Sequence, residues 1–298
     1  MNTILSRFRN YCLLLCALVA LGACDDPRLD KIVDDSVYLA NYGLHQQNVY
    51  TGEGFTYPVT VVKAGAGLQG GKVRLKVNDA LITKYGGNYT VLPQQYYQIR
   101  QGEINLSKGD YQVAFNLDFD AAGIQTLAAS TGLTYALPLE LESAEQGLSL
   151  ADNQDLSTML LVPRIQAPYI SFRRPGLQDI PSAINPNSAA ETKFYAFVTT
   201  NYNNEWDLTY EVTVDASVLD AYNTANGTSH RLLPADAYRI ASTTLKIPNL
   251  QNESSLEYYL IKGKAAAGNY MLPLRISSVS KHGIDPARST MLIPVSIN

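Results

Sequence analysis

The stretch Asn201-Tyr202-Asn203-Asn204-Glu205-Trp206-Asp207 sets the chain's one tryptophan among amides and carboxylates. That mixture suits the face of a sugar. An aromatic ring covers the C–H groups, and amide and acid groups take the hydroxyls. Trp206 and Tyr202 are the candidate stacking residues. Asn203, Asn204, Glu205 and Asp207 are the candidate hydroxyl partners. A competing reading comes from parity: Trp206 shares it with Leu208 and Tyr210, which would place the indole at the edge of a core. Other chemistry is poorly supplied. His45, His230 and His282 lack the spacing of a metal site and are read as loop residues. No serine stands in a Gly-x-Ser-x-Gly elbow. Gly65-Ala66-Gly67-Leu68-Gln69-Gly70-Gly71 is rich in glycine but lacks the Lys and following helix of a phosphate loop, so it is read as a flexible hairpin loop.

The elements that must carry these residues are strands. Apolar residues recur at alternate positions in Phe55-Tyr57-Val59-Val61, Val73-Leu75-Val77, Tyr111-Val113-Phe115-Leu117 and Leu208-Tyr210-Val212-Val214. This is the period of half-buried β-strands, at a spacing that suits a sandwich. The chain also repeats itself. Asn78–Tyr85 matches Asp215–Tyr222, and Leu92–Ile99 matches Leu233–Ile240. Ala136–Leu139 matches Met271–Leu274, and Thr158–Leu160 matches Thr290–Leu292. Asn78 and Asp215 read as helix N-caps. Leu81, Ile82 and Tyr85, like Val218, Leu219 and Tyr222, share one side of a short helix. Gly86 would end the first helix in a left-handed conformation. Pro93 and Pro234 suit the first position of a helical turn. The expected fold is therefore all-β: two tandem immunoglobulin-like β-sandwich domains, each with a short helix. Aligning Phe55-Tyr57-Val59-Val61 with Phe194-Ala196-Val198-Thr200 sets the glycine-rich loop against Asn201–Asp207.

The N-terminus carries an address. Arg7 and Arg9 precede the apolar run Tyr11–Leu21, which is too short for a settled membrane span. Leu21-Gly22-Ala23-Cys24 resembles the lipobox of bacterial lipoproteins, in which a peptidase cuts before the cysteine and its thiol carries a lipid. Residues 1–23 are expected to form the signal peptide, with Cys24 as the lipid attachment point. Residues 24–35, with Asp25, Asp26, Asp30, Asp34 and Asp35, are expected to be a solvated acidic tether. The other cysteines, Cys12 and Cys16, lie within the signal, so no disulfide, zinc cluster or thiol catalyst is available downstream. Without Arg7 and Arg9, 23 − 2 = 21 basic residues face 27 acidic ones, a net charge of 21 − 27 = −6. With no basic run, nucleic acid is excluded as a partner.

The repeated residues also resemble a family, the bacterial domain of unknown function 1735. The second copy carries its pattern from Tyr222-Asn223 through Asn226-Gly227-Thr228, Leu233-Pro234 and Tyr238 to Tyr270-Met271-Leu272-Pro273-Leu274-Arg275-Ile276. The first copy departs in a shorter helix-to-turn link and an insert at Asp118 to Thr134. The resemblance implies sandwiches at residues 36–166 and 167–298, joined near Ile165 to Pro168. It also implies a surface lipoprotein that binds glycans as an accessory of an uptake system. Its partners would be an oligosaccharide or polysaccharide, an outer-membrane transporter complex, and the membrane through the N-terminal lipid alone. The location implied is the outer membrane, facing the cell exterior. Some relatives precede a family 18 glycosidase. Its acid run has only a partial counterpart here, Asn116-Leu117-Asp118-Phe119-Asp120-Ala121-Ala122-Gly123, with Ala122 where the general acid belongs. Asp118 and Asp120 also lack the further oxygens of a calcium site. The chain is thus expected to be no enzyme, with no catalytic residue, metal or cofactor. The competing function is a structural or adhesin-like surface module without a ligand site; 20 tyrosines against 7 phenylalanines suit either reading.

Overall fold

The computed structural model describes residues 35–67, 69–145, 147–184 and 190–297. Cys24, the signal and the tether before Asp35 lie outside the described residues. The chain is mostly β and forms two tandem two-sheet β-sandwiches. One unit runs to Gln47 and resumes over Thr56–Arg164; the other comprises Asn48–Phe55 and Ile165–Asn298.

The first unit's five-stranded sheet has the order Ser149–Leu150, Ser36–Leu39, Thr56–Ala64, Gln112–Phe119, Tyr97–Ile99. Its other sheet runs Gly43–Tyr50, Thr158–Gln166, Thr134–Ala144, Gly71–Val77, Glu103–Leu106, with Tyr89–Val91 parallel to Thr134–Ala136. Alternate residues point inward, and Val37, Leu39, Val59, Val61, Phe115 and Leu117 are buried. Each such side chain contributes about 1.5–3 kcal/mol on leaving water.

The second unit repeats the plan. Its five-stranded sheet runs Tyr238–Ile240, Glu253–Ile261, Glu191–Thr200, Tyr169–Phe172, Gly283–Ile284. Its seven-stranded sheet centres on Thr290–Ile297, Gly268–Val279 and Leu208–Val214. Even irregularities recur. The register shifts between Arg74 and Leu75 in one copy and between Glu211 and Val212 in the other. The offset there is 211 − 74 = 137, and it persists at Asp215 against Asn78, 215 − 78 = 137. It grows to 234 − 93 = 141 at the prolines, because the second copy's helix Ala216–Asn226 has 11 residues and the first copy's Leu81–Lys84 has 4.

These helices form for local reasons. The Asp215 side chain accepts from the Ser217 N–H, and Gly227 closes the helix at φ 62°, a cap worth about 1 kcal/mol. Val218, Leu219 and Tyr222 pack on Met271 and Leu292, as Ile82 and Tyr85 pack on Ala136, Leu160 and Val162. Gly86 has the expected positive φ of 63°.

Several expectations are corrected. Asn78 is not the N-cap; that position is Ala80, and the Asn78 side chain accepts from the Ala80 N–H at 3.2 Å. Pro93 stands just ahead of its helical turn, with ψ 143°. The insert after Asp118 folds into an unexpected helix, Ala121–Thr131, capped by Asp120. Gly65–Gly71 does not close a hairpin, because the strands on either side of it belong to different sheets. His45 lies on the strand Gly43–Tyr50. Asp35 is no part of a solvated tether: it is 4% exposed and accepts from the Gly67 and Gln69 N–H groups at 2.7 and 2.6 Å. Beside them the buried Lys63 Nζ donates to the carbonyls of Gln69 and Ser107.

The copies also align differently from the sequence reading. Val37 pairs Leu150 and Lys63, and Ile170 pairs Ile284 and Thr200, so Lys63 corresponds to Thr200. Six residues earlier, Tyr57 corresponds to Phe194, and Pro58 to Tyr195. The alignment of Phe55 with Phe194 is therefore two residues out.

Candidate functional site

The loop Asn201–Asp207 links the strands Glu191–Thr200 and Leu208–Val214. Its centre faces inward. Asn204 is 2% exposed, and its amide N–H groups donate to the carbonyls of Trp206, Pro248 and Gln251 at 2.7, 3.0 and 3.1 Å. Its Oδ1 accepts from the Trp206 N–H, and its own N–H donates to Asn252. Both amide hydrogens are thus committed inside the loop, and burial keeps the side chain from a sugar.

Tyr202, 4% exposed, sits among Tyr50, Phe55, Trp206 and His282, with ring centroids 5.0–6.1 Å away. Burial pushes its hydroxyl up to about 12. Trp206 meets Phe55 and His282 edge to face at 5.2 and 5.0 Å, and Lys281 Nζ lies 4.2 Å over the indole. Gly54, at φ +85°, packs against the same ring, where an added Cβ would come within 2.9 Å. Tyr202 and Asn204 are therefore packing and loop-tying residues rather than sugar contacts, whereas Trp206, packed against Phe55 and His282, stays half-buried. Asn203, Glu205 and Asp207 do stay on the surface, Asp207 paired with Lys246 at 2.8 Å. His282, read as a plain loop residue, holds its ring inside this cluster. Burial, and secondarily Lys281, pull its pKa down.

The acids singled out earlier are structurally engaged as well. Asp118 pairs with Arg100 at 2.7 Å, which holds its carboxyl below the usual range. Among the described residues no group of His, Cys, Asp and Glu could hold a metal ion. Among them too, no helix is long and apolar enough to cross a membrane, which says nothing of a β-barrel.

A different part of the second unit is open. The strand Glu191–Thr200 pairs along Glu191–Thr199 with Glu253–Ile261, but with Tyr169–Phe172 only over Val198–Thr200. After a last rung from the Arg173 N–H to the Phe197 carbonyl, the chain crosses to the other sheet. There Leu177 pairs Leu292 and Ser182 pairs Val295, so residues 178–181 loop out opposite two residues. The first copy's corresponding strand, Gly43–Tyr50, is continuous. The interruption leaves a cleft of about 780 Å³ along the uncovered edge.

Phe194 and Tyr258 stack on its inner wall at 5.4 Å and 18°, and the Tyr258 hydroxyl bonds Ser182 at 2.9 Å. Tyr195 stands at the lip, 51% exposed, and Ile180 on the looped-out segment is 79% exposed. Arg174, Gln178 and Asp179 supply the polar rim. The sequence did carry a signal for this site. In Phe194-Tyr195-Ala196-Phe197 and Tyr258-Tyr259, large rings occupy both parities of a strand, so some must face outward.

Fold and site together define a tandem β-sandwich protein with a ring-lined cleft in its second unit. A family model described as an N-terminal domain matches residues 33–147 and again residues 168–283, and the chain belongs to that family, the domain of unknown function 1735, in tandem. No curated protein matches the chain. Among solved structures, a carbohydrate-binding candidate from Bacteroides ovatus is 19% identical over 43% of this chain and 36% of its own, with a TM-score of 0.38. A multidomain protein including the same domain, also from Bacteroides ovatus, is 17% identical over 44% of each chain, with a TM-score of 0.35. A third Bacteroides ovatus protein, of unknown function, is 11% identical over 83% of this chain and 99% of its own, with a TM-score of 0.34. The chain thus spans less than half of the first two.

Proposed function

We propose that the chain is a surface lipoprotein that binds a glycan without cleaving it, and that the cleft of the second unit is the binding site. The observation that carries this reading is the juxtaposition of Tyr195, Phe194 and Tyr258 with Arg174, Gln178, Asp179 and Ser182 around one opening. Rings supply faces for the C–H patches of a pyranose, and the rim supplies donors and acceptors for its hydroxyls. The first copy keeps the scaffold without this opening's lip, with Pro58 in place of Tyr195. Tyr195 is thus not needed by the fold and is free to serve binding. Anchorage is assigned to Cys24, and exposure to the cell exterior to Asp25 and Asp26 directly after it, which resemble the surface-export signals of some lipoproteins. An accessory role beside an outer-membrane glycan transporter follows from the family resemblance.

The test is a glycan array probed with the full chain in detergent. Retention of neutral glycans, weakened by Tyr195→Ala and Ile180→Ala at unchanged melting temperature, supports the reading. An array without retained glycans would overturn it in favour of a structural module.

A further inference from the structure

The outer face of the second unit's five-stranded sheet differs in its side chains from that of the first. Lys193, Tyr195 and Phe197 alternate along one strand, on the side opposite the buried Ala196 and Val198. Tyr259 stands across from Lys193, and Arg239 across from Tyr259. By the alignment above, the first unit has Thr56, Pro58 and Thr60, then Asp118 and Gln98, at these places. One copy thus carries three rings where its twin carries none, on the same scaffold. Nothing in the fold requires them.

These groups are held in place. The Arg239 guanidinium lies 3.9 Å over the Tyr259 ring, and Arg173 4.7 Å over Phe197. Lys193 Nζ lies 5.4 Å from the Tyr259 ring and 5.7 Å from that of Tyr195. Each cation also has an acid: Arg173 with Glu253 at 2.9 Å, Lys193 with Glu257 at 3.0 Å and Arg239 with Glu191 at 2.6 Å. The face is therefore ring-rich, lined with fixed donors and acceptors, and electrically balanced. Tyr195 and Phe197 belong both to this face and to the lining of the cleft. Residues two apart on a strand are about 7 Å apart, and diagonal cross-strand neighbours about 7–8 Å. The line Phe197, Tyr195, Tyr259 therefore extends well beyond one sugar ring.

We infer that the cleft and this face form one continuous track, and that the ligand is an extended, uncharged oligosaccharide that enters the cleft at one end and lies across Tyr195 and Tyr259. The inference rests on the glycan reading of the cleft and adds length and neutrality to it. The balanced ion pairs give an anionic chain no net attraction, while rings with paired charges accommodate C–H faces and hydroxyls alike.

The experiment titrates the full chain in detergent with glucose, xylose and mannose oligosaccharides, from disaccharide to hexasaccharide, and with oligogalacturonates as the anionic arm. In at least one neutral series, the hexasaccharide should bind about tenfold or more tighter than the disaccharide. Tyr259→Ala should remove about tenfold from hexasaccharide affinity and leave the disaccharide unchanged. Tyr259→Thr, which keeps strand propensity, should do the same at wild-type melting temperature. Equal affinity for short and long chains, an unaffected Tyr259→Thr variant, or a preference for oligogalacturonates would overturn the track and leave the cleft as a short-glycan site. Absence of binding by every probe would remove both the cleft reading and the track.

Discussion

Tyr202 and His282 meet edge to face at 5.0 Å, and each buries a polar atom, Oη and Nε2, that has no hydrogen-bond partner among the described residues. Buried polar groups are nearly always satisfied, and an unsatisfied one costs about 1–3 kcal/mol. Tyr202→Phe removes one such atom while keeping the ring. It should leave stability unchanged or raise it in chemical denaturation. Trp206→Ala, in the same cluster but half-buried, should lower stability by about 0.5–3 kcal/mol.

His282 makes stability depend on pH. Its folded pKa lies below the ordinary value because burial, then Lys281, disfavour the charged ring. The unfolded chain therefore binds the proton more readily. The contribution is complete above about pH 6.5 and is lost as pH falls from there through the folded value. Melting temperature measured from pH 7.5 downward should drop in this window for the wild type. His282→Phe should flatten that part of the curve, and an unchanged profile in the variant would show that His282 is not its source.

Much of the architecture was legible because strands announce themselves through period two and the repeat fixed the equivalences outside the Phe55 strand, where the alignment slipped by two. Phe115 and Leu117 face inward as their alternation requires. The site was harder. Trp206 and its amides look like a sugar face in one dimension, but Gly54 and Phe55, far away in sequence, pack against the indole and half-bury it. Asn204 looks like a free amide until three carbonyls converge on it. Parity had already offered the core reading for Trp206. Tyr195 was legible as an outward ring, but the cleft beside it depends on a strand switch and a looped-out segment that no local pattern marks. Asp35 was misread for a similar reason: its partners, the Gly67 and Gln69 N–H groups, lie about thirty residues away.

Asp35 yields its own prediction. Its carboxylate satisfies two N–H groups of the connection between the sheets, so Asp35→Ala should cost about 1–3 kcal/mol of stability. A solvated tether residue would show no change in the same denaturation experiment.

Membrane attachment is assigned to one thiol. Cys24→Ala should leave the chain unprocessed or release it from membranes on cell fractionation. If the variant partitions with lipid as the wild type does, the lipobox assignment fails. On intact cells, added protease should reach the wild-type protein.

The claim that the second unit's cleft is the glycan site is tested most directly by calorimetric titration of the full chain, Tyr195→Ala and Trp206→Phe with the glycans retained on the array, with melting temperatures taken on the same samples. Tyr195→Ala should lose about tenfold or more in affinity at wild-type melting temperature, and Trp206→Phe should keep wild-type affinity. Wild-type affinity in Tyr195→Ala, with affinity lost in a Trp206→Phe protein that melts normally, would contradict the cleft and return the site to the loop Asn201–Asp207.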